Sequence, residues 1–110
     1  MAADPPLRFN EILTVSINET IEGVLGKTVL KVLHEHLESV YNVSPEEIPY
    51  RIDTLESVSE KLGKPFKPIE RAIARRFYSY LTLPFEDNPN YTLKDYVAEA
   101  KRKLSILPPP

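Results

Sequence analysis

Apolar positions recur at three- and four-residue steps along most of the chain, and nowhere do they alternate over five or more residues. The first rhythm belongs to helices with one buried stripe, the second to strands. The longest unbroken stripe lies between Gly26 and Asn42, where Leu30, Leu33, Leu37, Val40 and Tyr41 share one side with Val29 beside them. Lys31, Glu35, Glu38 and Ser39 fall opposite. A helix with such a face must bury it, so this stretch is expected to be the one around which the rest packs.

The flanking elements follow from caps and breakers. Ser16-Ile17-Asn18-Glu19 has the form of a capping box, which predicts a helix from Ile17 carrying Ile21, Val24 and Leu25. Residues 9–15 fit either a short helix capped by Asn10 or an extended lead-in, with Phe9, Ile12 and Leu13 docked on the core. Gly23 and Gly26 weaken helix, and a break or kink is expected near Gly26. Ser44-Pro45-Glu46-Glu47 starts a second helical piece, which Pro49 limits to about one turn of 3₁₀ character. Asp53-Thr54-Leu55-Glu56 reads as a third capping box, opening a helix with Leu55, Val58 and Leu62 that stops at Gly63. Pro68 at the first helical position starts the next, with Ile69, Ala72, Ile73, Phe77, Tyr80 and Leu81, ended by Pro84. Thr92 with Asp95 opens the last, with Leu93, Tyr96, Val97, Ala100 and Leu104 inward. The expected fold is all-α: a compact bundle of four main helices plus one or two short helical turns. A single domain over residues 9–107 would lie between a flexible tail, 1–8, and a Pro-rich end, 108–110.

Composition narrows the function. At 110 residues with 42% hydrophobic side chains, the chain has the material for one core. The absence of cysteine excludes disulfides, thiolate metal sites and cysteine nucleophiles, and fits a cytoplasmic protein. A net charge of -2 provides no global field for nucleic acid or anionic lipid. The start, Met1-Ala2-Ala3-Asp4-Pro5-Pro6, lacks the basic and apolar regions of a signal peptide, and no apolar run approaches the ~18 residues of a membrane span.

Candidate chemistry is sparse. His34 and His36 flank Glu35, but residues two apart on a helix point ~200° away from each other, so they make no chelating pair. Glu46-Glu47, and Asp53 with Glu56 and Glu60, are explained by capping and the helix dipole. The Glu86–Asn90 loop is oxygen-rich but has neither calcium-loop spacing nor a turn glycine, leaving a weak calcium or small-ligand site as one reading. No nucleophile–base spacing and no Gly-rich phosphate loop is present, so no catalytic residue, metal or cofactor is assigned and enzymatic activity is not expected. Lys67, Arg71 and Arg75 form an i, i+4, i+8 stripe with Tyr78 on the same side, a short cationic face with an aromatic edge, interrupted by Glu70. The plain alternative is a solvated helix face. Arg76 projects from the middle of the apolar arc and needs an acid from across the bundle or a second protein. Three functions compete. An interaction module would present Arg76, Tyr78 and Tyr80 to a protein partner or to a second copy of itself. A nucleic-acid binder would use Lys67, Arg71 and Arg75, helped by Lys101, Arg102 and Lys103. The third is the cation or ligand binder.

The order of signals carries a resemblance. Leu25-Gly26 precedes the helix with Leu30, Leu33 and Leu37. Tyr41-Asn42-Val43 leads to Ile48-Pro49, then to a helix ending Lys61-Leu62-Gly63, and Ile69-Glu70-Arg71 with Ile73 follows, up to Tyr80-Leu81. Over about residues 16–83 this resembles the archaeal all-helical Nitroso output domain family, from which Lys64-Pro65 departs as a tighter connection. The resemblance implies an archaeal source and a non-enzymatic output or interaction module, and carries over no active-site residue.

Overall fold

The computed structural model describes the backbone of residues 5–104 and the side chains of residues 8–104. The Pro-rich end at 108–110 and residues 1–4 of the expected tail lie outside them. Every described element is helical: α1 (Pro5–Leu25), α2 (Lys27–Tyr41), a 3₁₀ segment (Pro45–Tyr50), α3 (Ile52–Lys61), α4 (Phe66–Tyr80) and α5 (Leu93–Lys103). The all-α class holds, with five α-helices where four main ones were expected. The difference lies in α1, which absorbs both the ambiguous lead-in and the backbone of Pro5–Arg8.

α1, not α2, is the element the others pack around: it lies against α4, α2 and the 3₁₀ segment. Phe9, Leu13, Ile17 and Ile21 recur every fourth residue and are all buried. Ser16 does not cap a helix there. Its hydroxyl donates to the Ile12 carbonyl at 2.8 Å, and Thr14 does the same to Asn10 at 3.0 Å. Both hydroxyls are thus satisfied by the preceding turn and sit mid-helix without an orphaned donor. On α2 only Leu33 and Leu37 are fully buried, and Val40, which belongs to the predicted stripe, is 59% exposed. The stripe of α2 is wider than the surface that covers it.

Gly26 breaks the helix outright. At φ +96° it occupies a region closed to most L-residues, its N–H closes α1 on Glu22, and its carbonyl accepts the first bond of α2 from Leu30. The junction is one residue long, so α1 and α2 turn sharply onto each other. α2 ends at Asn42 in the left-handed conformation. The Ser44–Glu47 box then forms as expected, the Glu47 carboxylate accepting from the Ser44 backbone N–H at 2.9 Å and hydroxyl at 3.0 Å.

Two predicted starts are shifted. α3 begins at Ile52, its first bond accepted by Arg51, and Asp53 is not its cap. The Asp53 carboxylate instead holds Lys94 of α5 at 3.0 Å. α4 begins at Phe66, with Pro68 inside the first turn, where its missing N–H leaves no bond unmade. Gly63, at φ +77°, does stop α3: the N–H groups of Gly63 and Lys64 reach back to Glu60 and Ser59. Thr82 closes α4 in the same way, with Leu83 N–H on the Tyr78 carbonyl, although a β-branched residue at φ +59° is a poor choice for that role. The Thr92–Asp95 box opens α5. α5 covers the flank of α4 with Leu93, Tyr96 and Ala100.

Candidate functional site: an arginine-lined groove between α1 and α4

Where the C-terminal half of α1 crosses α4, the facing residues are small. Gly23 from α1 and Ala72 and Ser79 from α4 leave a groove of about 670 Å³, closed further by Thr20 and Val24. Nothing lies within 4 Å of the position a Cβ on Gly23 would take, so this glycine is not required by close helix packing. Its effect is to keep the groove open.

Arg71, Arg75, Arg76 and Tyr80 complete the lining. The i, i+4 spacing of Arg71 and Arg75 puts both on one ridge of α4. Arg76 leans toward α1: its Nε donates to Thr20 Oγ1 at 3.1 Å and its terminal nitrogen to Glu19 Oε1 at 3.3 Å. The Tyr80 hydroxyl donates to the same Glu19 oxygen, and this bond raises the tyrosine's pKa. Arg76 therefore finds its acid within the bundle, half-exposed rather than buried. Arg71 leans the other way, its Nε 3.0 Å from Asp87 in the loop after α4. Arg75 lies over the Phe85 ring, 5.6 Å from its centre, and makes no ion pair among the described residues.

The remaining sequence candidates disperse. Lys67 is outside the groove, its ammonium 3.7 Å from the buried Glu70 carboxylate and donating to the Tyr91 carbonyl at 3.1 Å. Tyr78, read from the sequence as the aromatic edge of the cationic face, is instead core. It is 2% exposed, and its hydroxyl donates to the Tyr96 carbonyl at 2.7 Å. Burial pushes its pKa up to about 12. The reason is α5 and the loop before it, whose Tyr96 and Phe85 pack edge-on against the Tyr78 ring. Arg102 and Lys103 are paired with Glu99 on their own helix. Lys101 lies over the Phe9 ring.

The oxygens of the Glu86–Asn90 loop are partly engaged. Asp87 faces Arg71, the Asn88 side chain accepts from Asn90 N–H, the Asn88 N–H donates to the Tyr96 hydroxyl, and the Asn88 carbonyl accepts from that hydroxyl and from Tyr91 N–H. Among the described residues no three histidines or acids gather as a metal site would require. His34 turns to Asn18 of α1 at 3.0 Å, and burial lowers its pKa against the opposing pull of Glu38. His36 turns to Tyr41.

Sequence reasoning missed the roles of Glu19, Thr20 and Gly23, and read Asp87 only as part of an oxygen-rich loop, not as the partner of Arg71. Arg76 signals that an acid must face it, but nothing local says which one. Comparisons with protein-family models, curated proteins and solved structures gave no match.

Proposed function

We propose that this chain is a non-enzymatic interaction module that docks an acidic segment of a partner protein in the α1–α4 groove. This is the kind of role the resemblance to an output domain implies. The observation that carries it is that three arginines and a tyrosine line one groove with a floor of small residues. Arginine and tyrosine are the side chains that most often dominate binding surfaces, and guanidinium forks match acidic groups bidentately. A foreign partner is favoured over a second copy. A two-fold dimer through this groove would set the same three arginines against each other. Nucleic acid is a weaker reading, because Lys67, Arg102 and Lys103 lie outside the groove and each already faces a carboxylate.

The test is fluorescence anisotropy with a labelled helical peptide of alanine and leucine bearing glutamates at four-residue spacing. The full chain should bind it, and an Arg71→Glu/Arg75→Glu double variant should bind at least tenfold more weakly. Gly23→Leu should obstruct the floor of the groove and weaken binding without disturbing the core, since open space surrounds Gly23. Equal binding by all three proteins refutes the groove as the site. Light scattering should give a monomer in the absence of peptide.

A further inference from the structure

Resting on the reading above, we infer that the group this groove selects is a phosphate monoester, carried by a phosphorylated serine or threonine in the docked segment. Among the described residues no carboxylate lines the groove, but two acids at its margins already hold lining residues. Glu19 occupies Arg76 and Tyr80, and Asp87 occupies Arg71. A carboxylate arriving from a partner can pair with Arg75 but competes for Arg71 and Arg76 only as one singly charged ligand against another, so it binds more weakly than a doubly charged group. A phosphate monoester brings a charge of about −1.5 to −2 near neutral pH and three acceptor oxygens. It therefore has a net advantage over the resident acids that a glutamate lacks.

Arg75 is the group left for it. Its guanidinium stands over Phe85, a ring that accepts no conventional hydrogen bond, so the fork retains its donors for an incoming anion. Arg71 and Arg76 line the same groove, Arg71 held by a half-exposed ion pair with Asp87 and Arg76 by one with Glu19 and a hydrogen bond to Thr20. Such pairs contribute little and are readily exchanged. Two further hydroxyls line the groove, on Thr20 and Ser79. Of these, the exposed one is Ser79; Thr20 is buried and serves to hold Arg76. The absence of a side chain at Gly23 and the methyl of Ala72 let the main chain of the segment approach the floor. Glu19 and Asp87 thus act as resident competitors that set a charge threshold for entry.

The experiment compares three labelled alanine-rich heptapeptides, identical except for serine, phosphoserine or glutamate at the centre, titrated with the full chain. The phosphoserine peptide should bind at least tenfold more tightly than the glutamate peptide, and the serine peptide least. Lowering the pH from 7.5 to 5.5 should weaken only the phosphoserine peptide, because its second proton binds near pH ~6. Arg75→Gln and Gly23→Leu should each reduce its affinity at least tenfold. Glu19→Gln should tighten it several-fold by removing a competitor. Equal affinity for phosphoserine and glutamate, both lost in Gly23→Leu, overturns the phosphate assignment and leaves the docking groove standing. Binding of neither peptide more tightly than by Arg71→Glu/Arg75→Glu overturns both. A single-stranded oligonucleotide bound in their place, with the same sensitivity to Gly23→Leu, also overturns the assignment and gives the groove to nucleic acid.

Discussion

Replacing Tyr78 with phenylalanine removes one oxygen from the middle of the α4–α5 contact and leaves the ring where it is. The hydroxyl donates to the Tyr96 carbonyl at 2.7 Å, inside α5, where the helix ladder also supplies that carbonyl with a donor. The acceptor is thus not orphaned, and the loss at neutral pH should be that of one ordinary hydrogen bond, about 1 kcal/mol. In a chain of this size that lowers the melting temperature by about 4–8 °C. The pH dependence is sharper. Burial holds the phenol up to about 12, against an ordinary 10.0, so its contribution is complete below pH 10 and is lost as the pH rises toward 12. Linkage between those two values gives a loss of about 2 kcal/mol by pH 11.5 for the wild type, and none from this site for Tyr78→Phe. The two stability curves should cross between pH 10 and 12, above which the phenylalanine variant is the more stable. Urea unfolding followed by circular dichroism from pH 7 to 11.5 measures both effects. A variant that stays less stable by a constant margin across this range would refute the buried, protonated role of the hydroxyl.

Three other substitutions test the backbone and the charges. Thr82→Gly should stabilise the protein by about 1 kcal/mol, because a β-branched residue sits at φ +59° where glycine carries no penalty; an unchanged urea midpoint would count against that strain. Gly23→Ala should add about 0.5–1 kcal/mol of helix stability, since nothing within 4 Å opposes the new methyl; destabilisation would mean that α4 lies closer than described. The Glu56 carboxyl is raised above its ordinary range by partial burial, then by Glu70, Glu60 and Asp53, with Lys67 opposing. Its charge therefore costs stability once ionised, so Glu56→Gln should stabilise the protein slightly at pH 7 and lose that advantage as the pH falls through the raised folded-state pKa, leaving none well below 4.5; equal effects at pH 7 and pH 3.5 would refute it.

What the sequence makes legible is local chemistry. The Gly26 break, the Ser44–Glu47 and Thr92–Asp95 boxes and the Gly63 stop each depend on a few adjacent residues, and all form. Ser16–Glu19 has the same spelling and does something else, because a serine hydroxyl serves equally well as a cap or on the carbonyl four residues back. Only the run Phe9, Leu13, Ile17 and Ile21 distinguishes the two uses, and it spans both sides of the supposed start. Tyr78 shows a second limit. Helical periodicity tells which residues share a ridge with Arg71 and Arg75, but not that α5 will cover one flank of it. The groove itself depends on Gly23 meeting Ala72 and Ser79 at a helix crossing, a relation between distant positions that no local pattern contains.

The most direct test of the groove as a docking site is a heteronuclear NMR titration of the full chain with the glutamate-bearing helical peptide. Docking there predicts shift changes clustered on residues 20–24 of α1 and 71–80 of α4, the segments that line the groove, and their loss in Gly23→Leu. Changes clustered instead on α5 and the Glu86–Asn90 loop, or none at millimolar peptide, would contradict it.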